Sequence, residues 1–215
     1  MELTYDKLKA IVLGKGYKWI DEPLYPMLVG IRTTLLVPNV YNDVMCVCYV
    51  TDKGEKKMFS YTQTTLPGKF WLNNPSRPEG CAVLVPGQYF AWVKGTHGHT
   101  RPHNALVQFG GPVCIVRDND KDDLAEWEKM PILTNQYIGC NIHASWAIGD
   151  RKFIDKDSAA CQVGSNSWNH EQMMKQVDLY IIKKLGRMPS NTESMNDPKS
   201  QVVIGYTLLL EKDLK

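Results

Sequence analysis

Apolar positions in the first twenty residues recur at helical spacing. Tyr5, Leu8, Ile11 and Val12 share one side of a helix, Thr4 stands at the N-cap position, and Gly14-Lys15-Gly16 stops the run. From about residue 28 to 50 the pattern changes to short β-rich stretches, MLVGIRTTLLV and DVMCVCYV. TDKGEKK, with Gly54, predicts a hairpin turn after them. Three further runs follow: FSYTQTTLPGKFWL, broken by Pro67-Gly68; GCAVLVPGQYFAWVKG, broken by Pro86-Gly87; and NALVQFGGPVCIVRD. Short strands separated by Pro/Gly turns every eight to twelve residues or so indicate a mainly antiparallel β architecture.

Residues 118–130 are acidic and predict an exposed loop or short helix, whereas YIGCNIHAS predicts a strand leaving the core. The stretch 164–186 carries the strongest helical signal: Ser167 or Asn169 as N-cap, Met173, Met174, Val177, Tyr180 and Ile181 on one face, and Gly186 as the stop. Residues 187–200 are polar and predict a loop, and QVVIGYTLLLE predicts a last strand. No repeat or boundary divides the chain. The expectation is one domain over 1–215: an N-terminal helix in 1–20, a β core over 28–165, and a helix, loop and final strand over 166–215. Its class is mainly β, of the α+β kind, built as a sandwich or barrel.

Composition narrows the function classes. With 43% hydrophobic and 22% charged residues in 215, the chain can bury a core without staples. A net charge of +2, with no Lys/Arg run and no aromatic-rich RNA-binding signature, gives no argument for a nucleic-acid partner. Six cysteines fall below the density of a disulfide scaffold, and Cys46-Val-Cys48 is not a zinc spacing, so reduced thiols are expected. No 18-residue apolar run and no signal-like N-terminus occur, which predicts a chain made in the cytoplasm, not inserted in a membrane, and monomeric.

Chemistry concentrates in NIHASWAIGDRKFIDKDSAAC, residues 141–161. Nucleophilic cysteine catalysis needs a thiolate, a base in reach, and donors for the developing oxyanion. His143 ends a strand and Cys161 follows 18 residues later, after a polar loop that opens with Trp146. Ser145 or a nearby carbonyl would orient the imidazole, and the small Ala159 and Ala160 would let backbone N–H groups approach a substrate. Trp146 is a candidate substrate contact. Arg117, with Arg32, Arg101 and Arg151, is a candidate for holding a carboxylate. HGHTRPH places His97, His99 and His103 within seven residues; one of these three would line the same cleft, with His97 and His99 as candidate substrate contacts.

Ile142-His143-Ala-Ser145 followed by Ser158-Ala-Ala-Cys161, with TTLPGKFWL and VPGQYFAW upstream, resembles the L,D-transpeptidase (YkuD-like) catalytic domain family. The resemblance covers about 130–165 closely and 60–120 loosely, and the ending Cys161-Gln162-Val163 is similar to divergent bacteriophage members. The family's second histidine, its glycine and its Arg or Asn after the cysteine are replaced here by Ala159, Ala160 and Val163. The resemblance implies an L,D-transpeptidase-like sandwich or barrel, with Cys161 as nucleophile, His143 as base, and Ser158 and Gln162 beside the substrate. It also implies peptidoglycan stem peptides as the substrate and no cofactor or metal. The absent signal favours an endolysin-like hydrolase reaching the bacterial cell wall on lysis, with a cross-linking L,D-transpeptidase as the alternative. Two other readings stand: a zinc-dependent wall hydrolase using His97, His99 and His103 with Asp118, Asp120 or Asp123, and a catalytically dead phage structural or wall-binding module.

Overall fold

Thr4 caps the first helix, its hydroxyl accepting the Lys7 N–H, and α1 (Tyr5–Gly14) turns Tyr5, Leu8 and Val12 into the core. The computed structural model describes residues 3–35, 37–146 and 148–215. β1 (Met27–Arg32), β2 (Asp43–Val50) and β3 (Lys56–Thr64) form an antiparallel meander, the last two joined by a turn in which Gly54 has φ +82°. The β-branched and apolar residues of these runs favour a pleated, buried surface. FWL does not continue a strand: Pro67-Gly68 breaks the chain, and α2 (Lys69–Asn73) forms one short helical turn.

β4 (Cys81–Leu84) leaves the barrel and is followed by the long hairpin of β5 (Gly87–His97) and β6 (His103–Val107). β7 (Val113–Asp118) and β8 (Leu133–Gln136) join β4 in a separate three-stranded sheet. The acidic stretch between them, residues 119–132, contains neither helix nor strand. Two short strands follow, β9 (Ile142–Ala144) and β10 (Gln162–Gly164), then α3 (Ser167–Leu185), α4 (Asn191–Asn196) and β11 (Ile204–Leu210).

The architecture is mainly β. Eight strands close a barrel in the order β1-β11-β5-β6-β9-β10-β3-β2, with parallel pairing only at β1–β11 and β9–β10. An eight-stranded barrel is narrow enough for side chains to fill. Tyr206 on β11 donates its hydroxyl to Gln162 Oε1 on β10 at 3.0 Å, and Gln63 Nε2 on β3 donates to the Tyr206 oxygen at 3.3 Å. β11 is a neighbour of neither β10 nor β3 in the sheet, so these bonds cross the barrel interior.

Gly30 makes room for this crossing. A Cβ there would overlap the Tyr206 hydroxyl and come within 2.9 Å of Gln63 Nε2. Tyr206 is fully buried and hydrogen-bonded, so it has nowhere to move. Gly30→Ala is expected to cost about 3 kcal/mol, from overpacking together with a lost buried hydrogen bond. Urea unfolding of the variant checks this, and an unchanged midpoint would show that the interior is looser than described.

α3 is capped by Asn166, whose side chain accepts the Asn169 N–H, rather than by Ser167 or Asn169; Gly186 ends it at φ +70°. Its apolar face, including Met173, Val177 and Ile181, completes the main core together with α1. In 187–200, where a loop is expected, Ser190 and Glu193 form a capping box and start α4. All six cysteines are free. Among the described residues no helix is long and apolar enough to cross a membrane.

Candidate functional site

Gln162 faces the barrel interior, so strand alternation turns Cys161 and Val163 outward. Parallel pairing of Val163 with His143 turns His143 outward too. On this outer face four of the chain's five histidines gather. His97 and His103 pair across the β5–β6 hairpin, His143 comes from β9, and His170 from the first turn of α3. The His97 and His143 rings stack at 3.8 Å between centroids, and His103 stands edge-on at 5.6 Å from His97, 5.7 Å from His143 and 6.2 Å from His170. Trp146 packs edge-on against His103 at 4.7 Å, with the Arg101 guanidinium 5.7 Å from its ring.

Each ring is anchored through one nitrogen. His143 Nδ1 meets the Ala144 carbonyl at 3.0 Å, His103 Nδ1 the Arg101 carbonyl at 3.3 Å, and His170 Nε2 the Asn104 carbonyl at 2.9 Å. Asn141 Nδ2 lies 3.0 Å from His97 Nδ1. The opposite nitrogens, Nε2 of His103 and His143 and Nδ1 of His170, are buried with no hydrogen-bond partner. Burial lowers the pKa of all four, to about 4 for His97 and His170, and proximity of the rings to one another adds to this for His97, His143 and His170. The cluster is therefore neutral at pH 7, and its free nitrogens are proton acceptors.

Cys161 lies just before β10 and lines a small pocket of about 100 Å³ together with Arg77, Arg117, Ala159 and Ala160. Its sulfur faces the Gly139 carbonyl at 3.6 Å. Burial pushes the thiol up to about 11, against a backbone hydrogen bond from Asn141 that pulls the other way. The chain entering the cysteine is pinned: Ser158 Oγ donates to the Cys161 carbonyl, and Gly68 N–H donates to the Ser158 carbonyl. The Ala159 and Ala160 carbonyls accept from the thiols of Cys81 and Cys140.

The structure thus brings Cys161, Ala159, Ala160 and Arg117 to one pocket, and His143, His97 and Trp146 to the adjoining histidine face. Cys161 and His143 are not hydrogen-bonded: the β9–β10 register offsets them by two residues, about 8 Å between Cα atoms at ordinary strand spacings. Asn141 stands between them, its backbone toward Cys161 and its side chain toward His97. Ser145 donates its hydroxyl to the Ser165 carbonyl, and it is the Ala144 carbonyl that holds the imidazole. Ser158 and Gln162 are fully buried, Gln162 within the barrel, so neither presents its side chain to a substrate. His99 is exposed in the hairpin turn beyond the cluster.

Three contributors were not read from the sequence. His170 sits inside a helical pattern where its helix alone gives it no role. Arg77 lies in the polar NNPSRPEG stretch, and Asn141 precedes the strand without a distinguishing flank. His103, one of the three histidines of HGHTRPH expected to supply a cleft-lining ring, stands at the centre of the cluster. A cleft of about 590 Å³ opens beside it, lined by His103, Ser145, Trp146, His170, Glu171 and Asp178 among others. Among the described residues no group of three His, Cys, Asp or Glu side chains is placed to hold a metal ion. No protein-family model matches the chain, and neither the curated proteins nor the solved structures contain one detectably similar to it.

Proposed function

We propose that the chain is a cysteine-dependent acyl-transfer enzyme acting on peptidoglycan stem peptides, with hydrolysis as its net reaction and an L,D-transpeptidase-like arrangement of its site. One observation carries this reading: the Cys161 thiol opens into a pocket with two guanidiniums, Arg77 and Arg117, on the barrel face where His143 holds an unpartnered imidazole nitrogen. The pocket offers a nucleophile and charge for a peptide carboxylate together, with a base one strand away.

The resting protonation states shape the chemistry. A thiol near 11 and an imidazole held below its usual range both rest neutral, with Asn141 between them, so no thiolate–imidazolium pair exists before substrate binds. The thiol proton therefore leaves only as the sulfur–carbonyl bond forms, and it reaches His143 through one bridging water. The protonated imidazole then returns that proton to the departing amine, leaving a thioester on Cys161. Water, deprotonated by the same imidazole, releases the acyl group and restores the thiol. An amine in place of water gives cross-linking instead. Arg117, which spends one N–H on the Gly80 carbonyl at 3.1 Å, is already fixed to orient a carboxylate.

The test is incubation with defined muropeptides, reading product masses and the intact protein mass in one experiment. The expected result is release of a fragment with an amine terminus and a transient mass increase on the peptide containing Cys161. Turnover that proceeds with no adduct and stops on adding a strong chelator would replace this reading with a metal-dependent one. Absence of both turnover and adduct across the muropeptide set would reject it.

A further inference from the structure

A third cavity lies away from the histidine face, at the end of the barrel where β1 and β11 finish. It encloses about 350 Å³ and is lined by Arg32, Thr33, Thr34, Trp127, Lys129 and Leu210, among others. Arg32 is the last residue of β1 and only 1% exposed. Its Nε donates to Thr65 Oγ1 at 2.8 Å, and its Nη2 to the Thr65 and Leu84 carbonyls, each at 2.9 Å. Its remaining nitrogen, Nη1, is buried and has no partner.

That vacancy is costly for a group whose every N–H is a strong donor. A buried charged group left partly unpaired costs several kcal/mol in general, and Nη1 carries two such donors. Asp43 does not fill the gap, because its two oxygens accept from Thr33 N–H, Thr65 N–H and Thr65 Oγ1. Among the described residues no carboxylate stands within ion-pair distance of Arg32. Three hydrogen bonds hold Nε and Nη2 on Thr65 and Leu84, and Nη1 is left unpartnered in a residue that lines the cavity. Trp127 stands over the guanidinium, 5.4 Å from Cζ to the ring centre. It is carried on the irregular stretch 119–132, so the ring is held by a loop and not by a strand or helix.

We propose that this cavity is a binding site for a small monocarboxylate with an apolar body. The carboxylate would take the free Nη1 donors of Arg32, and the body would rest against Trp127, Ala125 and Leu210. The cavity size suits a small organic ligand. Charge selects a monoanion. Lys129 and Lys212 line the cavity, but Glu126 and Glu128 line it too, and Glu211 is held at its rim by the Thr34 hydroxyl and N–H. A dianion such as phosphate would meet that acidic rim with only one open guanidinium nitrogen to satisfy it.

The test is calorimetric titration of the full chain with sodium phenylacetate, its neutral isostere phenylacetamide, and inorganic phosphate. Phenylacetate is expected to bind saturably and at least about tenfold more tightly than phenylacetamide, a difference of about 1.4 kcal/mol. Trp127→Ala, a substitution of a half-buried loop side chain at the edge of the small sheet's apolar cluster, should weaken phenylacetate at least about fivefold while the variant melts as a folded protein. Arg32→Lys should weaken it further; should that variant fail to fold, the acid–amide comparison and Trp127→Ala still decide the matter. Equal binding of acid and amide, phosphate binding as tightly as phenylacetate, an unaffected Trp127→Ala variant, or no saturable binding would each overturn the proposal.

Discussion

Cys161→Ala is expected to reduce muropeptide turnover by at least about a thousandfold, equivalent to about 4 kcal/mol of transition-state stabilisation. The same change should barely disturb the fold. Cys161 packs in a small cluster with Tyr41, Ile154 and Val163, away from the barrel interior. Removing one sulfur from that cluster costs about 1 kcal/mol through the cavity left behind. Kinetics and urea unfolding on the same preparation separate the two effects. Near-full turnover with wild-type stability would take the nucleophile role from Cys161 and leave the histidine face as the remaining candidate. His143→Ala belongs beside it. Because His97 stacks directly on His143 and shares its neutrality, a neighbouring base can partly substitute, so the loss there should be smaller than for Cys161→Ala.

Acidification is the second large effect. His170 is 2% exposed, and its folded pKa of about 4 lies below the model-peptide value of 6.5 because burial disfavours the imidazolium. A depressed histidine contributes stability in full above the unfolded pKa. That stability is lost as the pH falls from 6.5 towards 4, where the unfolded chain binds protons that the folded chain refuses. For His170 alone the loss approaches about 3 kcal/mol at pH 4, taking 1.36 kcal/mol per unit of pKa difference. His143, His97 and His103 shift in the same direction, so they add to it. Protonating the cluster also places like charges in rings only 3.8 to 6.2 Å apart. Glu171 and Asp178 on α3 face the adjoining cleft and relieve this only from its rim. Asp118 acts in the opposite sense: burial raises it to about 6, so it gains protons on folding, but it belongs to the separate small sheet. Urea unfolding at pH 7, 5.5 and 4 should show a steep fall in midpoint, reduced in His170→Gln. A flat profile across that range would show that the rings are solvated and not packed as described.

Much of the local structure was legible because it is written in short-range chemistry. Thr4 as a cap, the Gly54 turn and the apolar face of α3 require only neighbours within a few residues. The capping box of α4 was equally present in Ser190-Asn-Thr-Glu193 and is read from that spacing, although the polar composition around it suggested a loop. Barrel closure was not legible, since it rests on β1 pairing with β11 across most of the chain and on the brief parallel contact of β9 with β10. Nor was the split that sends β4, β7 and β8 into their own sheet, because a buried strand reads the same in either.

The site divides in the same way. His97 and His103 face each other because a hairpin makes them do so, which the sequence hints at through its turn. His143 and Cys161 were singled out together, and β9 does lie beside β10, which Cys161 immediately precedes; the two-residue register offset between them is a tertiary quantity with no local signature. His170 joins only when α3 docks on the barrel, through its bond to the Asn104 carbonyl.

The β1–β11 pairing has a further consequence for how the chain comes to be folded. During synthesis β1 emerges well before β11, the neighbour that completes the ring. Until β11 arrives, β1 and β5 are open edges carrying unpaired backbone groups, the feature that templates association between chains. Closing a ring from its two ends is a long-range step, slow relative to hairpin formation. The nascent protein therefore depends on β11 for more than stability: its arrival ends the exposure of these edges to other copies of the chain.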